Sequence, residues 1–271
     1  MKAKKVLFIN TEMSPFVPDS DTAVRELELP KQIQEGGREV RVFTPKWGMI
    51  NERRNQLHEV IRLSGINIIV DETDRPLIIK VASVASARLQ VYFIDNDDYF
   101  MRRLMAVDEK GVEYDDNGER LVFFARGVLE TVKKLRWIPD VIHCTGWISA
   151  LAPLYIKKAY RDEPSFMNVK VVYSVSAPTL TKEFGKHALE CIPFKEATMK
   201  CIEDICTEKY GYNELMKIAS RFSDGIILGD ENVDPSVVEF AEKQGVPVLG
   251  YQGAEFKQPY GEFYEKILGE D

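Results

Sequence analysis

The stretch Lys5-Val6-Leu7-Phe8-Ile9-Asn10-Thr11 (KVLFINT) sets the architecture. Four consecutive apolar residues before a polar, turn-rich segment from Ser14 to Ser20 mark a strand buried on both faces, the habit of a parallel sheet. Residues 22–35 follow with Val24, Leu27 and Ile33 at helical spacing, Asp21-Thr22 placed as an N-terminal cap and Gly36-Gly37 as a stop. Residues 39–44 (EVRVFT) read as a second strand. A strand–helix–strand opening implies an α/β fold whose mostly parallel sheet is joined by right-handed crossovers and flanked by helices.

The rhythm then changes. Short β-rich runs at 57–63, 66–70, 76–83 and 89–95, parted at Ser64-Gly65, Thr73-Asp74 and Ser86-Ala87, read as β-hairpins added to the main sheet. A loop rich in Asp and Gly over 108–118 leads into a long amphipathic helix over 119–135. The alternation resumes with strand 140–144, helix 147–160, strand 169–175, helix 213–221, strand 225–229, helix 235–244 and strand 246–250. Residues 259–268 form a last helix, so 1–250 reads as one domain and 251–271 as a C-terminal tail with a packed helix. Region 176–212, with Pro178, Gly185 and Pro193, follows neither period and reads as a mobile lobe.

The 271 residues suit one large α/β domain, with 45% apolar and 29% charged side chains, as in an ordinary globular chain. A net charge of −7 without a Lys/Arg block argues against nucleic acid, because phosphate contacts need clustered cations. No apolar run is long enough for a membrane span, and Val6–Ile9 is too short for a signal-peptide core, so a cytoplasmic protein is expected. Cys144, Cys191, Cys201 and Cys206 form no C-x-x-C pair, and the three histidines are His58, His143 and His187; reduced thiols and no metal are expected. The carboxylates Asp95, Asp97 and Asp98 read as a solvated turn opening a helix over 98–105, not as a calcium loop. No G-x-G-x-x-G follows strand 5–11, which argues against a nicotinamide enzyme; no cofactor is expected.

Four segments, covering residues 5–160, carry a resemblance to a known family. KVLFINTEMSPF (5–16) resembles a strand followed by S-E-x-x-P-F/Y. Leu29-Pro30-Lys31, residues 36–42 and Pro45-Lys46-Trp47-Gly48 resemble L-P-K…G-H-x-V-x-V…P-x-Y/F-G. Tyr114 to Arg120, with Phe123, Phe124 and Arg126, resembles Y-x-D-N-x-E-R-F…F…R, and Pro139 to Trp147 resembles P-D-V/I-I-H-x-H-D-W. Together they are similar to the N-terminal domain of glycogen/starch synthases, glycosyltransferases of the GT-B fold. The resemblance implies a single Rossmann-like GT-B N-terminal domain. In that family this domain mainly binds the glucan acceptor, and a C-terminal domain, to which nothing in this sequence is similar, mainly binds ADP-glucose.

The departures bear on chemistry. The family carries K-x-G-G-L after its S-E-x-x-P-F, a Lys to neutralise diphosphate and glycines to bring N–H groups close. Here the matching residues are Pro18-Asp19-Ser20-Asp21-Thr22. Pro18 has no charge and no N–H, and Asp19 and Asp21 would each repel a diphosphate at contact by about 1–4 kcal/mol. In H-x-H-D-W, His143 and Trp147 remain, while the second His is Thr145 and the Asp is Gly146; the later T-I-H-N reads Tyr173-Ser174-Val175-Ser176.

The resemblance puts Glu12, Phe16, Asp116, His143 and Trp147 forward as sugar-cleft candidates. Each has a plainer reading. Glu12 follows a strand end, where open parallel sheets bind ligands, and equally suits a loop hydrogen bond. His143 ends an apolar strand and reads more readily as a buried, hydrogen-bonded residue than as a catalyst. Trp147 stacks on a sugar or packs in the core, and Asp116-Asn117 suit a helix cap. Arg120 and Arg126 suit carboxylate pairing on the helix surface. Tyr251, Phe256, Tyr260, Phe263 and Tyr264 form a partner surface or dock the last helix.

The expected function is that of a glycogen/starch synthase-like protein of glucan metabolism, catalytically incompetent alone. It would bind α-glucan or maltooligosaccharide, or serve as partner or regulator. The alternative is the acceptor-binding half of a split α-1,4-glucan glucosyltransferase, with a separate protein partner supplying the donor domain.

Overall fold

Val6, Leu7, Phe8 and Ile9 are fully buried in β1 (Lys5–Asn10), which lies mid-sheet with a parallel neighbour on each side. The computed structural model describes residues 4–101 and 103–269. α1 (Asp21–Glu35) carries the chain from β1 to β2 (Glu39–Pro45). Next come β3 (His58–Glu59), β4 (Ile66–Val70), β5 (Thr73–Val84), β6 (Leu89–Asp95) and a single turn, α2 (Asp97–Phe100). α3 (Asn117–Leu135), β7 (Val141–Thr145), α4 (Ala152–Lys157) and β8 (Lys170–Val175) follow. The chain continues through α5 (Lys186–Glu190), α6 (Tyr212–Arg221), β9 (Gly225–Leu228), α7 (Pro235–Lys243), β10 (Val248–Leu249) and α8 (Lys257–Ile267). The sheet order is β10-β9-β8-β7-β1-β2-β6-β5-β3, with β4 paired to β5.

The strands from β10 to β6 run parallel, and β5 is antiparallel to β6. The fold is therefore α/β with a mostly parallel sheet, and the hairpin expectation needs one change. Residues 89–95 are a member of the parallel sheet, with Val42 opposite Val91 on β2, as well as the partner of β5. A run buried at nearly every position suits an internal strand between two neighbours. The β4–β5 reversal falls at Asp71-Glu72, both in the left-handed region with φ of 49° and 57°, and not at Thr73-Asp74. Two such residues make the two-residue turn that matches strand twist.

Other boundaries move for local reasons. The helix expected over 147–160 is a 3-10 turn at Trp147–Ser149 followed by the short α4, which opens on Pro153. α2 stops at Phe100; its cap is Asn96, whose Oδ1 accepts from the N–H groups of Asp98 and Tyr99. Asp95 is not in a solvated turn: it is buried and paired with Lys80 at 2.9 Å, and burial pushes its carboxyl above the usual range. α1 is capped by Ser20, whose Oγ accepts from Ala23 N–H at 2.9 Å, one residue before Asp21-Thr22. Asp116 makes no side-chain cap bond to α3 and instead pairs with Arg103.

Arg120 and Arg126 are buried and meet no carboxylate across α3. Arg120 donates to the carbonyls of Met105 and Leu104 and to Asn117 Oδ1, beneath the Trp47 ring at 5.0 Å. Burial holds its guanidinium down at about 10. Arg126 donates to the Ile69 carbonyl and lies 3.7 Å from the Phe194 ring centre.

Region 176–212 holds α5 and a 3-10 turn at Met199–Cys201; Leu180, Phe184, Ile192, Ile202 and Tyr210 anchor it in the core. α8 folds back onto the sheet. Tyr260, Phe263, Tyr264 and Ile267 are buried, and a Cβ at Gly225 in β9 would lie 2.7 Å from Ile267 Cδ1. The terminal aromatics thus dock the last helix, except Tyr251, which is exposed. The four cysteines are free thiols.

Candidate functional site

From β1 the chain builds outward through β2 to β6 on one side, then returns to β7 beside β1 and builds through β8 to β10 on the other. The direction reverses between β1 and β7. In an open parallel sheet the loops after such strands diverge at their carboxyl ends and leave a crevice. A cavity of about 360 Å³ lies there.

Most of the walls come from strand ends. Thr11 and Glu12 follow β1, and Thr145, Gly146 and Trp147 close β7. Ser174 is the penultimate residue of β8, with Ser176 to Thr179 after the strand, and Gly229 and Asp230 follow β9. α1 contributes Thr22 and Arg25, and the segment Met105 to Val107 forms the remaining wall. The buried Arg120 fixes that segment through the Met105 carbonyl at 2.7 Å.

The charges are few. Arg25 is the cation among these lining residues, which also include the carboxylates Glu12 and Asp230. Its Nη1 donates to the Gly229 carbonyl at 2.7 Å, bracing β9 against α1. Glu12 accepts a hydrogen bond from Ser20 Oγ at 2.9 Å. One residue past Arg25, Glu26 is buried. Burial raises its carboxyl to about 7, Arg25 opposes the rise, and Glu12 adds to it. Both amide atoms of Asn10 have no hydrogen-bond partner among the described residues. Asn10 stands opposite Thr145 in the β1–β7 register, so uncommitted polar atoms underlie the crevice at the reversal point.

The sequence candidates divide. Glu12 and Trp147 line the crevice, although Trp147 is only 3% exposed and its ring lies 6.4 Å from Trp47. Phe16 packs edge-on against Phe93 at 4.9 Å and borders a separate depression with Pro18 and Asp19. Asp116 is held by Arg103. His143 is buried, with Nδ1 2.6 Å from Tyr264 Oη and Nε2 2.7 Å from Ser174 Oγ; burial, then Arg25, push it down to about 3. It is a neutral imidazole tying β7 to β8 and α8.

Of Pro18 to Thr22, only Thr22 reaches the crevice. Asp19 accepts from Ser14 Oγ at 2.7 Å, and Ser20 caps α1. Gly146 has φ of +79°, and a Cβ there would lie 2.2 Å from Thr11 Oγ1. Arg25, Glu26, Ser176 to Thr179 and Asp230 escaped the sequence reading; the ends of the strands read at 169–175 and 225–229 point to the last two groups, while nothing in the helical pattern singled out Arg25 or Glu26.

The sequence matches the starch synthase catalytic domain family over residues 5–246. The chain belongs to that family. A glycogen synthase of Chlorobium phaeobacteroides is 32% identical over 252 residues, 93% of this chain and 48% of that protein. One from Chlorobium luteolum is 40% identical over 172 residues, 63% of this chain and 35% of the relative. The chain therefore spans about a third to a half of such curated relatives. The catalytic domain of starch synthase IV from Arabidopsis thaliana, bound to ADP and acarbose, superposes with a TM-score of 0.74 at 17% identity, over 92% of this chain and 51% of that one. The fold is thus that of a glycogen/starch synthase-type GT-B domain. No helix among the described residues is long and apolar enough to cross a membrane.

Proposed function

We propose that the crevice at the β1–β7 reversal binds an α-1,4-glucan or maltooligosaccharide, and that this domain does not by itself transfer glucose from a nucleotide sugar. The observation that carries the reading is the make-up of the crevice. Thr22 and Thr179 offer hydroxyls, beside Thr11, Ser174 and Ser176, whose hydroxyls already have partners in the chain, and Met105, Val107, Trp147 and Pro178 offer apolar surface. A lining that mixes hydroxyls with apolar surface suits the edges and faces of neutral sugars. Glu12 and Asp230 add acceptors for sugar hydroxyls.

The same make-up suits a diphosphate poorly. One arginine, already bonded to the Gly229 carbonyl, shares the lining with two carboxylates and adjoins the buried Glu26. Phosphate recognition relies on free cations and convergent N–H groups. The segment aligned with the family's phosphate-gripping loop spends Ser20 on capping α1 and leaves Pro18, Asp19 and Asp21 exposed. Family membership and the starch synthase fold support the glucan half of the reading.

The test pairs two assays on the pure protein. Electrophoresis through a glycogen-containing gel should retard it, with free maltoheptaose restoring mobility. Incubation with ADP-glucose or UDP-glucose and a maltooligosaccharide primer should give no chain extension. Sustained glucose transfer, or migration indifferent to glycogen, overturns the corresponding half.

A further inference from the structure

Away from the crevice, three side chains from three parts of the fold converge on one atom, Nε2 of His187. Glu119 Oε1, from the first turn of α3, lies 3.3 Å away. Asp71 Oδ2, from the β4–β5 turn, lies 3.6 Å away. Cys191 Sγ, which follows α5 one turn after His187, lies 4.0 Å away. The ligand atoms of Asp71, His187 and Cys191 all fall within 4.8 Å of one another.

A neutral imidazole has one N–H to offer at Nε2, and three groups compete for it. A divalent cation among Asp71, His187 and Cys191 would relieve that competition. Tetrahedral zinc, with bonds of about 2.0–2.1 Å to N and O and about 2.3 Å to S, requires N···O edges of about 3.3 Å and N···S edges of about 3.6 Å. The observed N···O and N···S separations exceed those edges by no more than a few tenths of an ångström.

The surroundings resemble the outer support of a metal ligand. Tyr99, itself buried, donates from Oη to Glu119 Oε2 at 2.7 Å, and Arg75 Nη2 lies 3.7 Å from the same oxygen. These contacts occupy one carboxylate oxygen and turn the other, Oε1, towards His187. Such orientation by a hydrogen-bonded neighbour is what metal-ligating carboxylates receive. The His187-x-x-x-Cys191 spacing puts both residues on one side of a helical turn.

We propose that Asp71, His187 and Cys191 form a site for a divalent transition cation of the zinc class, with Glu119, 3.3 Å from His187 Nε2, the group at hand for its fourth position. Its mixed nitrogen, sulfur and oxygen donors disfavour magnesium and calcium. Closed by Glu119, it would be a structural site, clamping the β4–β5 turn and α5 onto the start of α3. The site is independent of the glucan reading.

The test is zinc and cobalt binding by the intact chain. Dialysis against micromolar zinc, then washing and elemental analysis, should leave one zinc per chain. Cobalt in its place should give the visible bands of a tetrahedral ion and a near-ultraviolet thiolate-to-cobalt band. His187→Ala and Cys191→Ser should abolish uptake, and Cys191→Ser should remove the thiolate band. Tyr99→Phe keeps every ligand but frees Glu119, and should weaken binding by about tenfold. Cys201→Ser should bind as wild type does, its circular dichroism and that of the other variants reporting folding. Failure of the wild-type chain to retain zinc, or retention unchanged in Cys191→Ser and His187→Ala, overturns the proposal.

Discussion

Replacing Glu26 by glutamine removes one proton-binding group from beneath the crevice and keeps its shape. The wild-type carboxyl is raised from 4.5 to about 7, chiefly by burial. The folded state therefore holds this proton more tightly than the unfolded chain. Its penalty on folding is absent below pH 4.5, grows as pH rises towards about 7, and is constant above. The displacement corresponds to about 3 kcal/mol. Glutamine has no proton to lose, so stability of the variant minus that of wild type should climb by about 3 kcal/mol from pH 4.5 to pH 8 and then level off. His143 acts in the opposite sense. Held at about 3 against an ordinary 6.5, it costs stability as pH falls below 6.5. That cost is common to both proteins and cancels in the difference. Urea unfolding followed by circular dichroism at four pH values gives the comparison. A difference that stays flat across the range refutes the buried-acid reasoning.

His143→Ala strands the hydroxyls of Tyr264 and Ser174, and should cost at least about 2 kcal/mol in urea unfolding while leaving maltoheptaose affinity of the folded protein unchanged. A stable variant that has lost sugar binding would make His143 a ligand contact instead. Gly146→Asp restores the family's residue at a position with φ of +79° and 2.2 Å between the new Cβ and Thr11 Oγ1, so it should lower stability by about 1–3 kcal/mol or more; an unchanged melting temperature would contradict this.

The sheet was legible where apolar runs are dense. Val6–Ile9 and Val141–Cys144 are buried on both sides and were read as strands for that reason. The sense of β6 was not legible, because a buried run looks the same whether its neighbour is parallel or antiparallel. The β4–β5 turn was placed late because Asp71 and Glu72 adopt positive φ without a glycine to announce it.

The site was half legible. Glu12 and Trp147 could be named from strand ends and family motifs. Arg25 and Glu26 sit inside a helix whose apolar spacing says nothing of a crevice across its axis. Asp116 and Arg120 look like cap and surface charge in sequence, yet the fold spends them on Arg103 and on the Leu104 and Met105 carbonyls. The Asp71, Glu119, His187 and Cys191 cluster draws on three distant stretches, which only tertiary packing brings together.

Calorimetric titration of maltoheptaose into the wild-type chain and into Ala177→Trp tests the crevice most directly. Ala177 lines the cavity beside Pro178 and is half-buried, so an indole there fills the space without disturbing the sheet. The account predicts heat of binding for wild type and none for the filled variant. Equal binding by both proteins, or none by either, would contradict it.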